Sequence, residues 1–445
     1  MPQFAALLIL SVLAPAMPGA QAPSGHRDSL VSVERALVRY ADAHTAEAVA
    51  LLQRVVNINS GTLNFAGVRE TGAVFRAELD ALGFTTRWED GTAYHRAGHL
   101  VAERMGTPGA PKILLIGHLD TVFEPESPFR RFERLDSTHA RGPGSIDMKG
   151  GDVIVIEALK ALKAAGALDR MSLTVVFHGD EEHAGEPVAL ARKTLIEAAR
   201  GAIAAIGFED GDGDPTTAVA ARRGSSSWLL RVTGTPAHSS QIFRADVGPG
   251  AIFETARILQ GFREKLAGDP LLTFNPGVAL GGTAVSLDSA AVRGDAAGKS
   301  NVVAETMVVA GDLRAISPER LAWARTTMRA IVAQNLPHTT AEVTFDDGYP
   351  PMAPSEGNRR LLALYDRVSR DLGFGPVGMD DPARAGAADV SFVAGIVPMA
   401  IDGVGLAGTD DHTTKETADL AALPMQVKRA AVLLYRLSAR SSTTP

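Results

Sequence analysis

Apolar positions along this chain switch between unbroken runs and helical spacing. Lys112 to Asp120 (KILLIGHLD), Met171 to Phe177 (MSLTVVF) and Gly201 to Phe208 (GAIAAIGF) are short continuous apolar stretches. Runs of this length suit parallel strands covered on both faces. Between and before them the spacing becomes helical: Ala46 to Val56, Val68 to Leu82 with Gly83 as a stop signal, the strongly amphipathic Asp152 to Ala165, and Val188 to Arg200. FTTRWED and HLVAERMG read as two further strands. Strands alternating with helices predict an α/β domain with a mixed, largely parallel sheet, whose strand ends gather along one edge. All three buried runs stop at acidic or imidazole side chains, in HLD, HGDEEHAGE and ED.

From about Ser225 the texture changes. SSSWLLRVTGTPAHSS predicts a strand and turn, Ala251 to Leu266 a helix, LLTFNPGVALGGTAVSLD and SNVVAETMVVAGDLRA strands, Pro318 to Gln334 a helix, and AEVTFDDG a strand. That order is the ferredoxin-like, split βαβ arrangement, so residues 225–346 are expected to form an inserted α+β domain. The first domain would then comprise residues 23–224 and 347–445. A chain of 445 residues is too long for one ordinary core.

The first 22 residues stand apart. FAALLILSVLAPA is too short to span a bilayer comfortably, and PGAQA supplies a small-x-small cleavage pattern, so residues 1–22 are expected to be a signal peptide cut after Ala22, with export to the periplasm or beyond. The amino-terminal end lacks the usual Lys or Arg. A net charge of −7 and the absence of a basic run argue against a nucleic-acid partner and favour small-molecule ones. With no cysteine, thiolate metal sites and cysteine nucleophiles are excluded.

Candidate chemistry lies at strand and loop ends: His118, Asp147, Glu182, Glu209 and His412. A nitrogen and oxygen donor set suits zinc, cobalt or manganese, and several carboxylates with two histidines favour a two-metal site sharing a carboxylate. The loop PESPFRRFERLDSTHARGPGSIDMKGG is too long for a mere connector, which also points to function. Taken singly each signal is weak, since a lone histidine is more often a surface residue and an acidic pair such as Glu181-Glu182 a solvated patch. His139, His178 and His183 are read as loop or supporting residues. GPGSIDMKGG lacks the Gly-Lys-Ser/Thr ending of a phosphate loop.

GHLDTVF, GPGSIDMKGG, GDEEHAG, the strand ending FED, TGTPAHS and GVGLAGTDDHTTKE occur in order across nearly the whole mature chain. Together they resemble the di-zinc metallopeptidases that include glutamate carboxypeptidase, aminoacylase and succinyl-diaminopimelate desuccinylase, most closely the carboxypeptidase G branch. The resemblance implies a zinc-peptidase-like catalytic domain with an inserted lid that also dimerises, and two Zn2+ per subunit, with Co2+ or Mn2+ as alternatives. Asp147 would bridge the ions, His118 and Glu209 completing one and Glu182 and His412 the other. Asp120 would orient His118, and Glu181 would be the general base. His238 would reach the neighbouring subunit's site as an oxyanion donor. A cis peptide after Asp147 is also implied, although many relatives have Asp where this chain has Met148.

Asn301 and Arg314 occupy the positions that hold the substrate carboxylate in similar enzymes, and a guanidinium matches a carboxylate in bidentate fashion. Where glutamate-specific relatives carry a further Arg and Lys, this chain has Tyr349 and Thr217. An apolar or aromatic carboxy-terminal residue is then as plausible a substrate as glutamate. The expected activity is metal-dependent release of a carboxy-terminal amino acid from an N-acyl amino acid or short peptide. An aminoacylase or dipeptidase on the same scaffold, and a silent carboxylate-binding relative, are the alternatives. Glu209, where several aminopeptidase and dipeptidase relatives carry Asp, leans toward carboxypeptidase or deacylase chemistry.

Overall fold

The computed structural model describes residues 30–288 and 293–439. The expected signal peptide, residues 1–22, lies outside them. The larger sheet contains β1 (Thr85–Asp90), β2 (Gly98–Arg104), β3 (Lys112–His118), β4 (Ser172–His178), β5 (Ala202–Gly207) and the short strand Ala400–Ile401. Its order is β1-β2-β4-β3-β5 followed by Ala400–Ile401. The pairings of β3 with β4 and β5, and of β5 with Ala400–Ile401, are parallel, while β2 pairs antiparallel with β1 and β4.

The unbroken apolar runs follow from burial on both faces. Along β3, Ile113 and Leu115 enter one core with Val175 and Phe177, while Leu114 and Ile116 enter a second core with Val176 and Leu195. Alternating side chains thus find hydrocarbon above and below the sheet. Helix Lys149–Ala164 differs from its expected form: it starts before Asp152 and is buried nearly all round. Helices Ser32–Ala43, Thr45–Val56 and Ala422–Ser438 pack against it, so its polar face is not turned to solvent. The helix expected over residues 188–200 is two pieces, Val188–Ala191 and Lys193–Ala199. The break falls at Arg192, whose fully buried side chain makes its ion pairs with Asp180 and Asp389 inside the protein.

A second sheet contains β6 (Ser225–Gly234), β7 (Leu272–Gly282), β8 (Thr306–Ala315) and β9 (Thr339–Tyr349). Helix Gly250–Leu266 lies between β6 and β7, and helix Pro318–Val332 between β8 and β9. The order is β7-β8-β6-β9, entirely antiparallel, which is the ferredoxin-like topology. Trp228, Leu230 and Val232 alternate inward from β6 and meet Ile258, Phe262, Ala324 and Met328 of the helices. A hairpin of Ala284–Asp288 with Arg293–Ala297, not distinguished in the sequence, extends this unit.

The long loop after β3 is partly ordered by a third sheet. Its strands Glu133–Arg134 and His139–Arg141 join Thr417–Asp419 and Gly408–Thr409 in a four-stranded arrangement. This sheet brings the approach to Asp147 beside the turn that carries His412. No helix among the described residues is long and apolar enough to cross a membrane.

Gly117, next to His118, lies where a methyl group would run into the Asp152 carboxylate and the Phe177 ring. Gly117→Ala is expected to lower unfolding stability by about 1–3 kcal/mol through overpacking. A urea midpoint unchanged from that of the parent would contradict this packing.

Candidate metal centre

The parallel strands deliver the first donors. His118 ends β3, Glu181 and Glu182 follow β4, and Glu209 follows β5, so three strand ends reach the same edge. Asp147 stands just before helix Lys149–Ala164, and the Asp147-Met148 peptide is cis. His412 enters from the Gly408–Asp419 hairpin with a φ of 58°, an uncommon left-handed conformation for a side chain larger than glycine.

Two donor triplets result. His118 Nε2 is 3.0 Å from Asp147 Oδ1 and 3.6 Å from Glu209 Oε1. His412 Nε2 is 2.8 Å from Asp147 Oδ2 and 3.1 Å from Glu182 Oε2. Within each triplet the ligand atoms lie within 4.8 Å of one another, and Asp147 offers one oxygen to each. All five sequence candidates are therefore brought together.

Electrostatics gives this arrangement its character. Burial, reinforced by the Asp147 charge, pushes Glu182 up to about 8, and burial pushes Glu209 up to about 7. Hydrogen bonds to Asp147 and Glu182 push His412 up to about 11. Burial favours neutral Asp147, but the opposing effect of the His118 and His412 imidazoles holds its carboxyl well below the usual range. Buried carboxylates packed this closely gain from added positive charge. Glu182 Oε1 is also buried without a hydrogen-bond partner. That orphaned oxygen and the sulfur-free donor set fit a pair of divalent ions, with Asp147 shared.

Asp120 touches His118 in two ways: its backbone carbonyl lies 3.1 Å from Nδ1, and its carboxylate Oδ1 lies 3.5 Å from the same atom. The carboxylate also accepts from the backbone N–H groups of Glu181 and Glu182 at 3.0 and 3.2 Å and from Thr62 Oγ1 at 2.6 Å. Asp120 thus ties the Glu181-Glu182 turn to the end of β3. Glu181 lines the same cleft as Asp147, Glu182, Glu209 and His412, a space of about 300 Å³. Burial, with Glu209 adding to it, pushes the Glu181 carboxyl well above its ordinary range.

His238, Asn301 and Arg314 are not among the residues lining that cleft. His238 and Asn301 are exposed neighbours on the inserted unit, where Ser239 N donates to Asn301 O at 2.9 Å. Arg314 is half-buried and pairs with Asp312 at 3.0 Å. His139 pairs with Asp136 on the surface and His183 is exposed, whereas His178 is fully buried against Asp389.

Several supports were not singled out in the sequence. Buried Glu416 accepts from the N–H groups of Gly144, Ile146 and Asp147 at 3.0, 2.8 and 3.3 Å, fixing the turn that presents Asp147. It closes the DHTTKE segment, so a carboxylate four residues after His412 was its only signal. Arg192 binds Asp180 and Asp389 and donates to the Tyr349 hydroxyl at 2.6 Å. Tyr349 in turn donates to the Glu181 carbonyl at 2.9 Å. The hydroxyl of Tyr349 is thereby committed to the backbone at Glu181, while Thr217 Oγ1 donates to Asp212 at 2.5 Å.

Residues 114–436 match the family model "Peptidase family M20/M25/M40". The chain is 26% identical to carboxypeptidase G2 of Pseudomonas sp. (strain RS-16) over 439 residues, covering 97% of each. In fold it is similar to aminopeptidase PepT from Bacillus cereus ATCC 10987, with a TM-score of 0.70 and 18% identity over 88% of this chain and 98% of that one. It is also similar to the Bacillus subtilis YXEP protein, a dinuclear metal binding peptidase from the M20 family, with a TM-score of 0.61, 15% identity and coverage of 90% and 99%.

Glu416→Gln would keep one acceptor but turn an amide N–H toward a backbone N–H it now satisfies. Metal affinity is expected to fall about 10- to 100-fold, as for other outer supports of ligands. Competition against a chromophoric chelator checks this, and unchanged affinity would show that Glu416 is not needed to present Asp147.

Proposed function

The chain belongs to peptidase family M20/M25/M40, and on that premise we propose that it is a metal-dependent carboxypeptidase-type amidohydrolase, releasing a carboxy-terminal amino acid from an N-acyl amino acid or short peptide. The observation that carries this reading is that Glu181 lines one cleft with Asp147, Glu182, Glu209 and His412, where Asp147 is shared by two donor triplets. His118, Asp147 and Glu209 would hold one divalent ion, and Asp147, Glu182 and His412 the other. Zinc is the proposed metal, with cobalt or manganese as substitutes. When bound, such a pair supplies Lewis-acid polarisation of the carbonyl and acidifies water toward neutrality.

The protein's own groups account for the proton transfers. Glu181 removes the proton of the attacking water and returns it to the departing amine, so one carboxyl serves first as base and then as acid. Its position is held by Asp120 on its own N–H and by Tyr349 on its carbonyl. His238 donates to the developing oxyanion from the partner subunit of a homodimer formed through the inserted unit. Its exposure, and its absence from the lining of its own chain's cleft, support that assignment. Exposed Phe243, Ile252 and Phe253 on the same unit supply apolar surface for such a contact. Asn301 and Arg314 bind the substrate carboxylate from that unit. The leader-like residues 1–22 support export.

Glu181→Gln is expected to retain metal while turnover falls by about 100-fold or more. Metal analysis together with turnover on N-acyl amino acids checks both halves, and unchanged turnover would remove Glu181 from this role. Chelation should abolish activity, and zinc, cobalt or manganese should restore it. Sedimentation should show a dimer; a fully active monomer would contradict the trans role of His238.

A further inference from the structure

The cleft that holds Glu181 is dominated by acids, with Asp210 and Asp411 adding to the catalytic set. Only two guanidinium groups line it among the described residues, those of Arg222 and Arg384. Arg222 is committed: it pairs with Asp402 at 3.0 Å and donates to Gly386 O at 2.8 Å. Arg384 is exposed, and its guanidinium has no hydrogen-bond or ion-pair partner among the described residues. Asp380 feels its charge without forming an ion pair with it.

The segment that presents Arg384 is nevertheless anchored. Arg223 Nη2 donates to Ala383 O at 2.6 Å on one side, and Arg222 Nη1 donates to Gly386 O on the other. The backbone of Arg384 itself donates to Asp381 O at 2.8 Å. Two arginines just before the inserted unit therefore grip the carbonyls on either side of a third arginine, whose own fork is left for a ligand. A planar guanidinium with unused donors suits bidentate capture of a carboxylate. Arg314, proposed above to bind the substrate carboxylate, is paired with Asp312 and lies outside the lining of its own chain's cleft, so Arg384 is the cation that this cleft itself supplies.

We propose that Arg384 is a specificity-determining residue that binds a carboxylate of the substrate. This rests on the amidohydrolase reading above and deepens it. Arg384 supplies positive charge to a cleft whose other titratable lining is mostly carboxylate. The carboxylate is either the terminal one or that of an acidic side chain, and the two sources are separable.

The test compares the metal-loaded parent with Arg384→Gln. It measures kcat/KM for N-acyl-glutamate, N-acyl-glutamine and N-acyl-phenylalanine, and the inhibition constant of N-acyl-phenylalanine amide. Loss of a charge-assisted contact is expected to lower kcat/KM about 10- to 100-fold, chiefly through KM. A loss shared by all three acids but absent from binding of the amide identifies the terminal carboxylate. A loss confined to N-acyl-glutamate identifies the side-chain carboxylate. Unchanged kcat/KM throughout, or equal weakening of the amide, overturns the proposal. Absence of metal-dependent hydrolysis by the parent would instead sink the amidohydrolase reading.

Discussion

Asp147 must present one oxygen to each of two imidazoles that reach it from opposite ends of the chain. His118 comes from the centre of the parallel sheet and His412 from a hairpin nearly 300 residues later. A carboxylate can serve both only if its backbone is held from outside the site. The buried Glu416 does this by accepting three consecutive-turn N–H groups, and the small third sheet fastens the same segment to the His412 hairpin. Without those supports each triplet would lose its common member.

A second set of buried charges lies behind Glu181. Arg192 is enclosed by Asp180 and Asp389, and Asp389 also engages His178. A buried arginine with two carboxylate partners is costly to desolvate, and removing one partner typically costs about 3–5 kcal/mol. The return on that cost is positional, because Arg192 and Tyr349 together bind the backbone carbonyls of Asp180 and Glu181. Tyr349 is the last residue of β9, so the inserted unit is joined to the Glu181-Glu182 turn by a hydrogen bond at its exit strand.

The main architecture was legible because its signals are periodic. Continuous apolar runs marked β3, β4 and β5, and the order of strands and helices after Ser225 marked the ferredoxin-like unit. His118, Glu182 and Glu209 were legible as the polar ends of those runs, and Asp147 and His412 through the ordered motifs. What escaped were side chains whose role depends on tertiary enclosure. Arg192 looks like a solvated residue inside a helical pattern, yet it breaks the helix to reach Asp180 and Asp389. Glu416 looks like an exposed acid in a polar turn, yet it is buried under the Asp147 loop. The all-round burial of helix Lys149–Ala164 escaped for a related reason: spacing shows where a helix is apolar, and the helices that cover its remaining faces come from both ends of the chain.

The order in which the donors occur along the chain has a consequence for biosynthesis. His118, Asp147 and Glu209 are all present once the first half has been translated, whereas His412 and the Glu416 brace arrive only near the end. A nascent polypeptide therefore carries three of the donors early, but both triplets wait for the final hairpin, because the Glu416 that fixes the shared Asp147 arrives with it. Maturation is built into the topology as a last stitch, which keeps the cleft unfinished until nearly every residue has left the ribosome.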